Sequence, residues 1–459
     1  MRTLAAAAVL ACLLTFAGSA SALPPIKHVF IVVLENKDFD QTFADDSKAP
    51  YLAKTLPSQG QLLTQYYATG HLSLDNYITM VSGQPPNPVT QADCQFFQDF
   101  VGTVGEDGVA IGQGCVYPPE VKTIADQLES KDLTWKGYME DMANSPTEPK
   151  SCRHPAINAR DSTQSAKADD QYAARHNPFV YFHSIIDRPA CAANDVDLSQ
   201  LPKDLESAST TASYSFITPD LCSDGHDEPC IDGRPGGLES INEFLQTWIP
   251  RIAGSPAYAD GGLVIVTFDE AEDDASDCCN EPASPNSPNN GGPTPGNGGG
   301  RIGAVLLSKY IKAGSVNDTP YNHYSLLRST EDMFGLPHLA FAAQEGLKPF
   351  GDDVFNAPAG NGGPSGGTKG PKPRITIRNA PKKCVRRAFR VRVRIRTSAM
   401  RNANVFVDRK RVAKSRRKNF RPRIPVKGLR PGGHHLTVRA ADQAARAARR
   451  TVRFRVCRR

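Results

Sequence analysis

The sequence predicts an α/β domain with a mainly parallel sheet flanked by helices, followed by a small all-β, sandwich-like domain. Three observations carry this. Apolar, β-branched runs recur along the first 350 residues with helical patterns between them, as in parallel sheets covered on both faces. A Gly/Pro-rich stretch then interrupts the chain. Beyond it, Arg386–Arg396 alternates apolar residues with arginine almost perfectly, the period of a half-buried strand.

Taken in order, residues 1–22 read as an export signal: Arg2 supplies the positive end, Leu4 to Ala17 an apolar stretch and Ala20-Ser21-Ala22 a cleavage site. The apolar stretch falls short of the roughly 20 residues needed to span a bilayer, and no later run is long enough. The mature chain is therefore expected outside the cytoplasm with no transmembrane segment. Residues 23–356 form the first domain. His28–Leu34 is a continuous apolar run, and similar runs fall at Ser213–Thr218, Leu263–Phe268 and Ile302–Leu307. Thr123–Ser130, Gly237–Ile252 and Tyr324–Phe334 read as helices. Ala283–Gly300, rich in Pro, Asn and Gly, is expected as a long exposed loop. Residues 357–371 are the linker and 372–459 the β-domain, with further strands at Asn404–Val407, His435–Arg439 and Thr451–Val456.

Charge divides along the same boundary. From Pro371 onward lie 31 of the 54 Lys and Arg but two of the 48 Asp and Glu, so this end carries about +29 and the remainder about −23. Without Cys12 the chain keeps ten cysteines, an even set that suits disulfides in an exported protein. Cys94–Cys115, Cys152–Cys191 and Cys222–Cys230 are compatible local pairs, and Cys384 with Cys457 brackets the β-domain. Spacing alone does not fix connectivity. No Cys-x-x-Cys occurs, which speaks against a zinc ribbon.

Parallel sheets deliver reactive residues just past the carboxyl ends of their strands. The first run ends in Glu35-Asn36 and the Leu263 run in Asp269-Glu270. Oxygen-rich sets of this kind suit a hard divalent cation, because the acids would otherwise repel one another. Ser73, after His71-Leu72, sits where a helix N-cap belongs, with helix running from about Leu74 to Val81. The amides and dipole of a helix start also favour a phosphate group there.

Glu35-Asn36-Lys-Asp-Phe-Asp40, His71-Leu-Ser73-Leu-Asp-Asn76-Tyr77, Thr218-Pro-Asp220 with Asp224-Gly-His226-Asp227, Phe268-Asp269-Glu270 and Asn322-His323 follow one another in that order. Together with Leu133–Tyr138 and His176-Asn-Pro-Phe179, they resemble the bacterial phosphoesterase family of acid phosphatases and phospholipases C, a branch of the alkaline-phosphatase-like superfamily. The resemblance covers about residues 26–340. It implies a phosphate-ester hydrolase in which Glu35, Asn36, Asp269 and Glu270 hold one divalent ion and Ser73 forms a phosphoseryl intermediate. Asn76 would hold a phosphate oxygen through its side-chain amide, and His226 and His323 would contact phosphate or protonate the leaving oxygen. A second ion on Asp220, His226 and His323 is the alternative metal arrangement. The chain departs from the family where Leu72 and Asp75 replace prolines, and Asp75 adds a negative charge beside the phosphate site.

The resemblance implies a phosphomonoesterase first and a phospholipase C or other phosphodiesterase second. A binding protein without turnover would have lost a nucleophile or a ligand, and none is lost. The basic domain suits an anionic cell-envelope polymer or lipid surface. With only Phe389, Phe406, Phe420 and Phe454 as aromatics and no nucleic-acid motif, specific nucleic-acid binding is not expected.

Overall fold

The computed structural model describes residues 23–357, 374–381, 383–396, 400–408, 410–415, 417–442 and 447–457. The signal segment and most of the linker lie outside them. Internal packing divides the chain into two compact units, Met1–Gly362 and Gly363–Arg459.

The first unit is organised by one eight-stranded sheet. Its strands are β1 (His28–Leu34), β2 (Gln61–Leu63), β3 (Trp135–Met139), β4 (Asp195–Asp197), β5 (Tyr214–Thr218), β6 (Gly262–Phe268), β7 (Ala304–Leu307) and β8 (Ser315–Asn317), in spatial order β8-β2-β7-β6-β1-β5-β3-β4. Every residue of β1, β5 and β6 is buried, as continuous apolar runs require when helices cover both faces of a sheet. These three strands run parallel, β1 between β5 and β6.

The Ile302–Leu307 run, grouped with the parallel strands by its composition, is antiparallel to β6. A parallel return needs a crossover along the sheet, usually a helix. The segment between β6 and β7 contains no helix, so the chain re-enters from the end it left. The Ala283–Gly300 portion is irregular as expected, but it is not simply exposed. Ser284, Asn290 and the 298–300 glycines are buried. Gln91 Nε2 donates to the carbonyls of Asn289 (2.9 Å) and Asn290 (3.0 Å). Gly299 has no room for a side chain: a β-carbon there would collide with the Gly70 carbonyl oxygen. The loop is thereby packed onto the turn that precedes Ser73.

Four helices matter for the site: α1 (Ser73–Ser82), α2 (Ile124–Glu129), α3 (Gly237–Ala253) and α4 (His323–Phe334). Helix α2 opens on a capping box between Thr123 and Asp126. Helix α4 is capped by Asn322, whose side chain accepts from the Ser325 amide at 3.0 Å, and it stops at Gly335, whose φ of +64° suits glycine. All ten residues of α1 are buried.

The second unit pairs β9 (Arg374–Arg378), β10 (Arg392–Arg396) and Asn419–Phe420 in one antiparallel sheet. A second sheet has the order Lys410–Ser415, Met400–Val407, Gly432–Asp442, Ala447–Val456. Val393, Ile395, Val405, Leu436 and Val438 fill a core of their own. All five cysteine pairs are disulfides: Cys94–Cys115, Cys152–Cys191, Cys222–Cys230, Cys278–Cys279 and Cys384–Cys457.

Cys384–Cys457 spans 73 residues, so its loss frees a long loop in the unfolded chain, worth about 4 kcal/mol on the chain-entropy account. Replacing both cysteines by serine is expected to make the second unit melt at lower temperature and become sensitive to protease. The first unit should be unaffected. Calorimetry and limited proteolysis of the full chain check this.

Candidate active site

The site starts from strand register. Leu34 of β1 lies beside Phe268 of β6 in parallel pairing, so the next residues, Glu35 and Asp269, leave the sheet side by side. Main-chain bonds fix them: the Asp269 amide donates to the Leu34 carbonyl and the Glu35 amide to the Asp224 carbonyl, both at 2.9 Å. Asn36 then takes a φ of +49°, a conformation asparagine tolerates better than most residues, and its amide donates to Asp269 Oδ1 at 3.1 Å.

Helix α1 brings Ser73 to this edge. Ser73 is the first helical residue rather than the N-cap, which is Leu72, and its side chain caps nothing. The hydroxyl instead donates to Glu35 Oε2 at 2.9 Å, while the Tyr77 hydroxyl, one turn on, donates to Glu35 Oε1 at 2.6 Å. The amide of Leu74 at the helix start is already taken by Asp93 Oδ1 at 3.0 Å.

Electrostatics set the demand. Glu35, Asp75, Asp224, Asp269 and Glu270 are all buried. Loss of water pushes Glu35 well above the usual carboxylate range, with Asp269 and Asp224 adding repulsion. Burial raises Asp269 to about 6 and, with Asp269 beside it, lifts Glu270 well above its ordinary value. Asp75 has no partner for either oxygen, and its carboxyl is raised by burial and then by Asp93.

The residues present fit a hard divalent cation. Asp269 Oδ2 is buried without a partner. One end of the Asn36 side-chain amide lies 2.8 Å from Glu35 Oε2 and 3.3 Å from Asp269 Oδ1. With nitrogen inward it hydrogen-bonds both acids; with oxygen inward it completes an oxygen donor set of the kind such ions take. Glu35 also belongs to a second convergence, with His176 and Asp224, whose ligand atoms all lie within 4.8 Å of one another. His176 Nδ1 donates to Asp224 Oδ2 at 3.1 Å, which leaves the Nε2 lone pair directed at Glu35 Oε2, 3.4 Å away. A carboxylate behind the imidazole is the usual support for a metal-binding histidine. Burial keeps His176 neutral, its pKa well below the ordinary histidine value.

The other expected residues separate. Asn76 is buried at the site, but its amide donates to the carbonyls of Gly70 (2.8 Å) and Leu72 (3.1 Å), with Glu270 Oε2 at 3.5 Å. It braces the turn before Ser73 instead of presenting a donor to phosphate. His323 is fully buried: Nε2 donates to the Asp269 carbonyl at 2.7 Å, and Nδ1 accepts from Tyr66 at 3.2 Å. Burial lowers its pKa to about 4. Both of its ring nitrogens are thus engaged by the protein. His226 lies at the rim, one-third exposed; Nδ1 donates to Asp227 Oδ1 at 2.8 Å and Nε2 accepts from Arg175 at 3.1 Å. Asp220 accepts from the Cys222 and Ser223 amides at 3.0 and 2.6 Å and faces Arg234 at 3.4 Å. Asp220, His226 and His323 thus face different partners, and among the described residues they form no common ligand group.

The structure adds residues that sequence reasoning did not single out. Arg175 is buried, with one nitrogen on His226 and another 3.9 Å from Asp93. It is a fixed cation facing the acids. Lys37 is buried beside Asn36, donating to its carbonyl at 3.1 Å. His71 Nδ1 lies 3.6 Å from Glu270, and its Nε2 is buried without a partner. In the sequence His176 stands out only as part of His176-Asn-Pro-Phe179. What could have marked it is its neighbour Arg175, since a cation and an imidazole buried together need acids to face.

The model of the Phosphoesterase family matches residues 45–337. A probable acid phosphatase of Kluyveromyces lactis is 26% identical over 68% of this chain and 59% of its own length. An acid phosphatase of Aspergillus fumigatus is 26% identical over 68% of this chain and 55% of its own. The chain therefore spans little more than half the length of these two relatives. A phosphatidylinositol-3-phosphatase of Mycobacterium tuberculosis is 24% identical over 71% of this chain and 82% of its own.

If the acids at the sheet edge hold a cation, folded protein should gain stability from it. Manganese or calcium at about 100 times its dissociation constant is expected to stabilise the native chain by about 2.7 kcal/mol. Asp269→Ala, with one carboxylate removed, should show little of that gain. Thermal melts of both proteins with added ion and with chelator make the measurement.

Proposed function

The chain belongs to the Phosphoesterase family, and on that premise we propose that it is a secreted, metal-dependent phosphate-ester hydrolase of the acid-phosphatase type. It cleaves phosphomonoesters through a phosphoserine at Ser73. The observation that carries this is the Ser73 hydroxyl at the first turn of a buried helix, 2.9 Å from Glu35 Oε2. A serine needs a proton acceptor to become a nucleophile, and that carboxylate is one. The names of the relatives, all phosphatases, support the monoester reading over a phosphodiesterase. Retention of Ser73 and of all four expected ligands favours turnover over mere binding.

Ser73 Oγ releases its proton to Glu35 Oε2 and attacks phosphorus, and the bond from phosphorus to the ester oxygen breaks. A solvent proton reaches the departing oxygen at the rim, beside partly exposed His226. Arg175 holds the phosphate oxygens against the acids that surround them. Water then attacks phosphorus, giving a proton to solvent, the bond to Ser73 Oγ breaks, Glu35 returns its proton to Oγ, and inorganic phosphate leaves. Glu35, Asn36, Asp269 and Glu270 hold the divalent ion, which supplies neutralising charge and a lowered hydroxyl pKa when bound. Asn76 and His323 act as positioning residues, on the turn before Ser73 and on Asp269 respectively. The export signal at residues 1–22 and the disulfides support secretion.

Ser73→Ala is expected to lower turnover of p-nitrophenyl phosphate at least about a thousandfold. It should shift stability by no more than about 1.5 kcal/mol, the scale of one hydrogen bond. Near-normal activity in the folded variant would remove Ser73 from the mechanism. The native enzyme should cleave p-nitrophenyl phosphate far faster than bis(p-nitrophenyl) phosphate and lose activity to chelator. The reverse substrate preference would establish the phosphodiesterase reading.

A further inference from the structure

The second unit presents a sheet face that its own composition cannot neutralise. In β10 the side chains of Arg392, Arg394 and Arg396 are exposed while Val393 and Ile395 are buried. In β9, Arg374 and Arg378 are exposed on either side of buried Ile375. The antiparallel register sets Arg374 directly opposite Arg396, Arg378 opposite Arg392, and Thr376 opposite Arg394. Directly opposed residues share a face, so five arginines stand together on it. Opposed strand residues lie only about 4.5–5.5 Å apart, and like charges in that position oppose sheet formation.

Nothing beside them offsets this. Only Asp408 and Asp442 are acidic from Pro371 onward, and Asp408 is taken by His434 at 2.8 Å. Among the described residues no carboxylate pairs with any of the five arginines. Among the described residues the exposed large apolar side chains (Phe96, Val101, Ile111, Ile231 and Val316) belong to the first unit, and the β9–β10 face itself presents Thr376 and the five arginines. It also carries no aromatic ring on which a base could stack.

We infer that the β9–β10 face binds a linear polymer bearing closely spaced phosphate or sulfate groups, recognised by charge and spacing alone. Arginines two apart along a strand recur at about 7 Å. Across the pair they form two doublets flanking Arg394, a short ladder of guanidinium forks suited to tetrahedral oxyanions in sequence. Such a polymer supplies the countercharge that the fold lacks. The surface belongs to the second unit, and the inference does not rest on the activity proposed for the residues around Ser73.

Dextran sulfate, which a phosphate-ester site does not consume, is the probe. Full-length protein is expected to bind it with an affinity that falls steeply with salt. The triple variant Arg392→Ser, Arg394→Ser, Arg396→Ser should bind at least tenfold more weakly in 0.15 M salt and show a salt slope smaller by about two. The double variant Arg374→Ser, Arg378→Ser should also lose affinity. A control removing equal charge from the turns, Arg417→Ser, Lys427→Ser and Arg430→Ser, should change affinity less than threefold. An unchanged melting transition of the second unit, followed by calorimetry of the full chain, reports that each variant is folded. Equal losses in the triple variant and the control would overturn the inference, because charge without placement would then be the whole effect. So would failure of the native chain to bind. Tenfold tighter binding to phosphatidylserine vesicles, at equal anion concentration, would also overturn it.

Discussion

Burial of several carboxylates at one edge of a sheet is the constraint around which the first unit is built. Removing even one ionised acid from water costs several kcal/mol unless it is paired. Here Glu35, Asp224, Asp269 and Glu270 lie together, and the neighbouring histidines His176 and His323 are held neutral by burial. Arg175 and Lys37 are the cations in the vicinity. Under the proposed function a divalent cation would complete that charge balance, beside the Ser73 hydroxyl.

The architecture serves that constraint through short, fully bonded connections. Parallel β1 and β6 put Glu35 and Asp269 beside one another with no freedom to separate, because each is tied by a main-chain hydrogen bond one residue past its strand. His323, at the start of α4, fixes the Asp269 carbonyl from the other side. The glycines at 298–300 let the long irregular segment descend onto the turn before Ser73, where any side chain would collide.

The parts legible in the sequence are those that depend on composition. Continuous apolar runs announce buried strands, so β1, β5 and β6 could be read, as could the acids that end β1 and β6. The three-residue strands β2, β4 and β8 are too short to show a period. The direction of β7 depends on a connection with no periodicity at all. Within the site, residue types were legible and hydrogen-bond partners were not. Asn76 and His323 lie close to the chemistry, but their donors are consumed by main-chain carbonyls that no local pattern names. Arg175 and His176 come from a 3-10 turn remote in sequence from both acidic pairs, and only the fold brings them in.

Helix α1 has no solvent-facing side along its whole length. An element enclosed on every face cannot drift in sequence to suit a new substrate, because each replacement must refit a packed neighbour. The Ser73 hydroxyl, which the proposed mechanism makes the reacting group, is therefore held in a fixed frame. The margin of the site, with part-exposed His226 and the irregular segment before β7, can vary without disturbing it. Changes in what the protein accepts should accumulate in that margin, leaving a conserved reaction beneath a changing entrance.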